Sequence, residues 1–316
     1  MSAAPRLGVT IRVESAPERP VAARQGSTSA VGKFVAATLG GIDRRRFLLT
    51  LATGLVGAAA AHGAADLLGT DPAPGRPATR IRTVGRARVP GVVPQTPPAG
   101  AVSGLPGKGT SLALTIDDGT SADVVAAFAA LAVDTGVRLT FFPNGRYRSW
   151  TDNAAALQPL VDSGQVAFGN HTWSHPDLTT LGDDEVAEEI GRNRDFLRST
   201  FGVQDTPFFR PPYGAHDERV DRIAAELGHR TVVLWNGTLG DSRALSPAQL
   251  VAAARQWFTA QRIVVGHANH SPITTVYGDL LALIAERGLQ TVTLADVWAT
   301  PVQRLRGTVT SAVLPR

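Results

Sequence analysis

From Ser111 onward, short apolar runs alternate along the chain with stretches whose apolar residues recur at helical spacing. The runs 111–117, 138–144, 165–170, 207–210, 230–236, 262–267 and 289–294 predict strands. Between them, Ala122–Thr135, Ala154–Ser163, Asp183–Phe201, Glu218–Leu227, Pro247–Phe258 and Thr275–Arg287 predict helices. Asp183 and Ser246 fit as N-caps, the second with Pro247 at the first helical position. Gly136, Gly164, Gly202, Gly228 and Gly288 stand where left-handed caps would end the helices. Strands alternating with helices imply parallel strands joined by crossovers, in a barrel or a doubly wound sheet. In both, functional groups gather at the carboxyl ends of the strands.

The flanks lack this rhythm. Residues 66–109 are rich in Pro, Gly and Arg, with Pro72, Pro74, Pro77, Pro90, Pro94, Pro97 and Pro98, and read as an extended linker. Residues 299–316 read as a tail without a motif. Upstream, Asp43-Arg44-Arg45-Arg46-Phe47-Leu48-Leu49 opens an apolar stretch that runs to Ala61 and ends in the small residues 61–65. A basic segment, a moderately apolar one and a small-residue end describe an export signal. The Arg-Arg-x-Phe-Leu pattern resembles the twin-arginine type, which carries folded proteins across a bacterial membrane. The apolar stretch is short and Ala/Gly-rich for a membrane span, so an uncleaved N-terminal anchor is the alternative. Residues 1–65 are therefore expected to be an extension plus signal, and the globular part to be secreted or cell-wall associated. Membrane contact would be confined to the N-terminal segment.

Composition narrows this further. The chain has no cysteine, which excludes disulfides, a thiol nucleophile and thiolate metal sites. A pI near 10.1 invites a nucleic-acid partner, but the positive charge is not on the globular part. Residues 1–65 hold eight basic and three acidic side chains, whereas residues 109–300 hold 14 basic and 22 acidic ones. No nucleic-acid partner is expected, and a monomer is.

The polar residues at the predicted strand ends carry the chemistry. Strand 111–117 runs into Asp117, Asp118 and Gly119. Two carboxylates that close repel unless a cation or proton lies between them, although alone they would pass as a solvated turn. Strand 165–170 delivers His171-Thr-Trp-Ser-His175, and two imidazoles four apart at a strand's end are better explained as metal ligands than as structural residues. With a carboxylate from Asp117 or Asp118 they form a His-His-carboxylate set that leaves positions open for water and substrate. Strand 207–210 ends in Arg210-Pro-Pro-Tyr213-Gly214, a stiff loop beside an Arg and a Tyr. Strand 262–267 delivers His267, with His270 three further on, each able to serve as a general acid.

In this order, Thr115-Ile-Asp-Asp-Gly, His171-Thr-Trp-Ser-His175, Arg210-Pro-Pro-Tyr-Gly214 and the late strand ending at His267 resemble the motifs of the polysaccharide deacetylase family, the NodB-homology domain of carbohydrate esterase family four. The resemblance covers about residues 110–298. It implies an α/β fold, a distorted (β/α) barrel of seven or eight parallel strands, and metal-dependent removal of acetyl groups from polysaccharides. Carried over, it makes Asp118, His171 and His175 the ligands of a divalent metal, Zn2+ first, with Co2+, Ni2+ or Mn2+ as alternatives. Asp117 would be the general base toward the attacking water, with Arg210 holding it through a charge-assisted pair. The backbone N–H of Tyr213 would help to stabilise the oxyanion, and His267 would protonate the departing amine.

Some positions depart from the family. Ile116 replaces its usual Phe, and Thr120 the usual Pro after Gly119. Its Asp-x-x-Asp-Trp motif survives only as Asp241, with Thr238 for the first Asp and Ser242 for the Trp, which leaves the partner of His267 open. Asn269 and His270 stay unassigned: a plain loop role comes first, with coordination or substrate positioning by one of them as the alternative. The expected function is an exported, metal-dependent deacetylase acting on N-acetylhexosamine glycans, peptidoglycan or chitin-like. The alternatives are an O-acetyl esterase of the xylan type, or a glycan-binding domain that has lost turnover. The retained ligand set, base, Arg and late His argue against the last.

Overall fold

A computed structural model describes residues 88–299. The export signal, the extension before it and residues 300–316 lie outside the described residues.

Ser111–Asp118 (β2) is the central strand, paired in parallel with Leu139–Pro143 (β3) on one side and Arg262–His267 (β8) on the other. Beyond β3 lies Val166–Phe168 (β4), and beyond β8 lies the short strand Gly237–Thr238 (β7). A second parallel sheet has Thr231–Val233 (β6) between Gly100–Val102 (β1) and Phe208–Phe209 (β5). Two links join the sheets. Asn170, just past β4, bridges to Phe209, and the segment running from β6 into β7 pairs first with β5 and then with β8. The result is a distorted barrel of parallel strands, as expected.

The alternation along β2 shows why these residues make this architecture. Leu112, Leu114 and Ile116 face outward into an apolar layer with Val124, Phe128, Phe141, Phe168 and Val264. Burying side chains of this size contributes about 1.5–3 kcal/mol each. Helices Ala122–Thr135 (α1), Ala154–Asp162 (α3), Pro247–Trp257 (α6) and Tyr277–Glu286 (α7) supply the other side of this layer. The in-between residues, Ala113, Thr115 and Asp117, share the barrel interior with Phe142, Phe208, Val233 and Ile263. The short helix Arg148–Asp152 (α2), with Asp183–Phe201 (α4), Glu218–Glu226 (α5) and Leu294–Val297 (α8), completes the set.

Three expectations need correction. Residues 88–109 are not linker: β1 adds an edge strand to β6, Val89 and Leu105 are buried, and Gln95 bridges to Trp298. A three-residue edge strand after Pro97 and Pro98 has no periodicity to read, and an edge is where prolines are tolerated. Asp183 is not the N-cap of α4; Gly182 is, its backbone N–H donating to the Glu185 carboxylate, so Asp183 is the first helical residue. The last predicted strand, 289–294, shrinks to Gln290–Thr291 (β9) on β2, because Thr293 caps α8 with its own side chain. Ser246 does cap α6, with Pro247 following.

Candidate active site

The site lies at the carboxyl end of the barrel, and the backbone there is bent to build it. Asp117 is the last inward-facing residue of β2. Asp118 would face outward if the strand continued, but its φ of 66° turns the chain back toward the same pocket. Thr172 (φ 68°), His175 (φ 69°) and Tyr213 (φ 61°) share that rare left-handed conformation. Four such residues on the loops after β2, β4 and β5 mark strain concentrated where geometry matters.

The bend at Asp118 is held from several sides. Its carbonyl accepts the Trp150 indole N–H at 2.8 Å and the Asn144 N–H at 3.1 Å. Gly119, at φ 91°, lies so close under Trp150 that a Cβ there would overlap the indole. The histidine loop is held as firmly. Asn144 donates to the His171 carbonyl at 2.6 Å, Thr172 Oγ1 accepts the His175 N–H, and Glu189 from α4 accepts the Ser174 N–H and hydroxyl at 2.8 and 2.7 Å.

The side chains then converge. Asp118 Oδ1 stands 3.3 Å from His171 Nε2 and 3.4 Å from His175 Nε2. Among the described residues, Asp118, His171 and His175 form a group whose ligand atoms all lie within 4.8 Å of one another. The His171 Nδ1–H donates to the Arg210 carbonyl at 2.7 Å, so a neutral ring turns a bare Nε2 lone pair toward the carboxylate. Asp118 Oδ1 is buried and accepts no well-angled hydrogen bond. An orphaned carboxylate oxygen between two imidazole nitrogens is a donor set that fits a divalent cation. Burial alone, the largest single effect, would raise the Asp118 pKa; without a cation, a protonated His171 ring, aided by His267 and His175, outweighs it and holds the carboxyl well below the usual range.

Arg210 is fully buried inside the barrel. Its NH1 donates to Asp117 Oδ1 at 2.7 Å and to Thr115 Oγ1 at 2.9 Å, while Nε donates to the Val233 carbonyl at 3.0 Å. Its guanidinium also stacks over Phe142, 4.3 Å from the ring centroid. Asp117, 2 % exposed, therefore has one oxygen committed to the guanidinium and the other 3.8 Å from His171 Nε2. His267 sits opposite Asp117 in the β2–β8 register. The open question of its partner is answered by Asp241, whose Oδ1 accepts the ring Nδ1–H at 2.9 Å. Tyr213 covers the mouth, largely exposed, with its ring packed edge-on against His175 at 4.6 Å between centroids.

Every residue singled out from the motifs is thus found at this one end of the barrel. His270 is not drawn in; its Nε2 lies 3.4 Å from the Ser242 carbonyl, a loop contact as expected. Sequence reasoning left Asn269 without a role; its amide donates to Asp118 Oδ2 at 2.7 Å. The available signal was its place two residues beyond His267.

The fold and site define an α/β barrel of parallel strands with a carboxylate–histidine cluster at its carboxyl end, and comparison with known proteins narrows this further. Residues 105–232 match the polysaccharide deacetylase family. Chitin deacetylase 1 of Cryptococcus neoformans var. grubii is 39% identical over 127 residues, which are 39% of this chain and 25% of that protein. Peptidoglycan-N-acetylmuramic acid deacetylase PdaA of Bacillus subtilis is 33% identical over 97 residues, 31% of this chain and 35% of that protein. The chain thus spans about a quarter to a third of the length of these two relatives. Among solved structures, the Bc1960 peptidoglycan N-acetylglucosamine deacetylase superposes with a TM-score of 0.57 at 22% identity, covering 64% of this chain and 94% of that one; this likeness concerns the fold.

Proposed function

We propose that this chain is an exported, divalent-metal-dependent deacetylase that hydrolyses the N-acetyl groups of wall or extracellular N-acetylhexosamine glycans, with Zn2+ the first choice of metal. The observation that carries the reading is the orphaned Asp118 Oδ1 between the His171 and His175 Nε2 atoms, on a barrel that also brings Asp117 and His267 to the same end. The relatives named as chitin and peptidoglycan deacetylases support an N-acetylated glycan as the substrate class. The twin-arginine-like leader supports export, to the wall or beyond it.

A divalent cation held by Asp118, His171 and His175 would polarise the acyl carbonyl and make a water acidic enough to attack near neutral pH. Asp117 accepts the proton of the attacking water, and Arg210 keeps that carboxylate turned toward the pocket. His267 gives a proton to the departing amine, its ring fixed by Asp241. The Tyr213 N–H completes the stabilisation of the oxyanion. Acetate leaves on one side and a free amino sugar remains on the other.

The test is acetate release by the full-length protein from N-acetylglucosamine oligomers and from peptidoglycan, with Zn2+, with chelator, and with Asp117→Asn beside the wild type. Release that needs the metal and falls by at least about 100-fold in the variant supports the reading. A folded, metal-loaded protein that releases acetate only from acetylxylan points instead to the O-acetyl esterase. One that releases none from any of these glycans but binds them points to the binding domain.

A further inference from the structure

Asp118 has two carboxylate oxygens, and the structure gives them different neighbours. Oδ1 faces the two imidazoles without a hydrogen bond, while Oδ2 accepts the Asn269 amide at 2.7 Å. The amide itself is oriented. Asn269 Oδ1 accepts both the backbone N–H of Thr120 at 3.1 Å and its hydroxyl at 3.0 Å. With two donors on its oxygen, Asn269 can present only its NH2 group to Asp118. Thr120 stands where the resembling family usually has Pro, a residue with neither an N–H nor a hydroxyl to offer. Thr120 and Asn269 are 149 positions apart, so the departure from the family pattern and the unassigned loop residue are two halves of one contact.

We propose that Asn269, oriented by Thr120, is a positioning residue that fixes Asp118 as a one-oxygen metal ligand. The proposal rests on the metal-dependent reading above. With Oδ2 occupied by a neutral donor, the carboxylate cannot swing both oxygens onto the cation, and its Oδ1 lone pairs stay aimed between His171 and His175. Partners of this kind around a metal ligand commonly change affinity by about 10–100-fold when removed.

The experiment uses the full-length protein, stripped of metal, as wild type, Asn269→Ala, Thr120→Pro and His171→Ala. Zn2+ affinity is measured by competition with a chromophoric chelator, and Co2+ is added to read the ligand geometry from its visible spectrum. Asn269→Ala is expected to weaken Zn2+ binding by about 10–100-fold and to change the Co2+ spectrum as the freed carboxylate takes a second position. Thr120→Pro should shift both in the same direction by a smaller amount. If Asn269→Ala keeps the wild-type affinity and spectrum, the proposal is overturned, even where its melting temperature falls. Should that variant not fold, Thr120→Pro decides on the same two readouts. If wild type takes up no Co2+ that His171→Ala loses, the metal-dependent reading itself fails, and the clamp fails with it.

Discussion

Asp241 grips His267 at two points: one carboxylate oxygen accepts the ring Nδ1–H at 2.9 Å and the other accepts the backbone N–H at 3.1 Å. The double contact sets the tautomer, because the proton on Nδ1 leaves Nε2 to exchange a proton with a substrate. Burial, the largest effect, would lower the His267 pKa, but Asp241, followed by Asp117 and Asp118, outweighs it and raises the ring above its ordinary value. An acid works while protonated, so activity should be lost as pH rises through that raised value. Asp241→Asn should lower kcat at least about tenfold and move the alkaline limb of the pH–rate profile to lower pH. A variant with the wild-type limb would remove His267 from the role of acid.

The Arg210–Asp117 pair is buried, and its two halves are not equally dispensable. Arg210→Met leaves the Asp117 carboxylate in the barrel interior without its cation, a loss expected to cost about 3–5 kcal/mol. Asp117→Asn, which can still accept from Arg210, should be milder. Urea denaturation of both variants checks the order, and equal losses would mean that the two halves of the pair matter alike.

A third prediction concerns His229, far from the chemistry in sequence but joined to it. Its Nδ1–H donates to the Thr206 carbonyl at 2.8 Å, and its Nε2 accepts the amide of Asn170, the residue before His171, at 3.0 Å. Burial pushes its pKa down to about 4, with the Thr206 carbonyl pulling weakly the other way. An unfolded imidazole titrates near 6.5, so between pH 6.5 and 4 the unfolded chain takes up a proton that the folded one refuses. The associated stability is complete above pH 6.5, declines as pH falls through that window, and is spent below it. The total is about 3 kcal/mol, at 1.36 kcal/mol per pH unit. Denaturation midpoints from pH 7.5 to 4 should therefore fall more steeply in wild type than in His229→Gln.

Gly119 offers the most local test. Its φ of 91° and the indole of Trp150 lying against it leave no room for a side chain. Gly119→Ala should destabilise the fold by about 3 kcal/mol, through strain and overpacking together. It should also weaken divalent-metal binding by displacing Asp118. Calorimetry with and without Zn2+ separates the two, since a variant that melts lower but gains the wild-type increment from Zn2+ has kept its site.

Much of this was legible along the chain. The long strand β2 announces itself because Leu112, Leu114 and Ile116 alternate with residues that face the barrel interior, and the polar residues at strand ends stand out against apolar runs. What stayed hidden depends on contacts without local signature. β1 is three residues in a proline-rich stretch, visible only through its pairing with Thr231–Val233. Asn269 acquires meaning from a hydrogen bond to Asp118, 151 positions away. Asp241 could be placed from the remnant of the Asp-x-x-Asp-Trp motif, yet its hold on the His267 backbone required the folded loop. Asp183 was read one residue too late in the cap because Gly182 offers no side chain to signal one.

The stretch that matches the family, residues 105–232, is shorter than the stretch that must fold. Cut at those bounds, β2 would lose β8 and β9, its pairing partners from the C-terminal part, and β6 would lose β1. The three prospective metal ligands would remain, but His267, Asp241 and Asn269 would all be gone. A fragment chosen by family boundaries would thus present bare strand edges to other copies of itself, with half a site and a tendency to precipitate. Domain exchange, gene synthesis and library design on this protein are better framed by bounds that include at least residues 88–299, which keep these pairings and the whole site together.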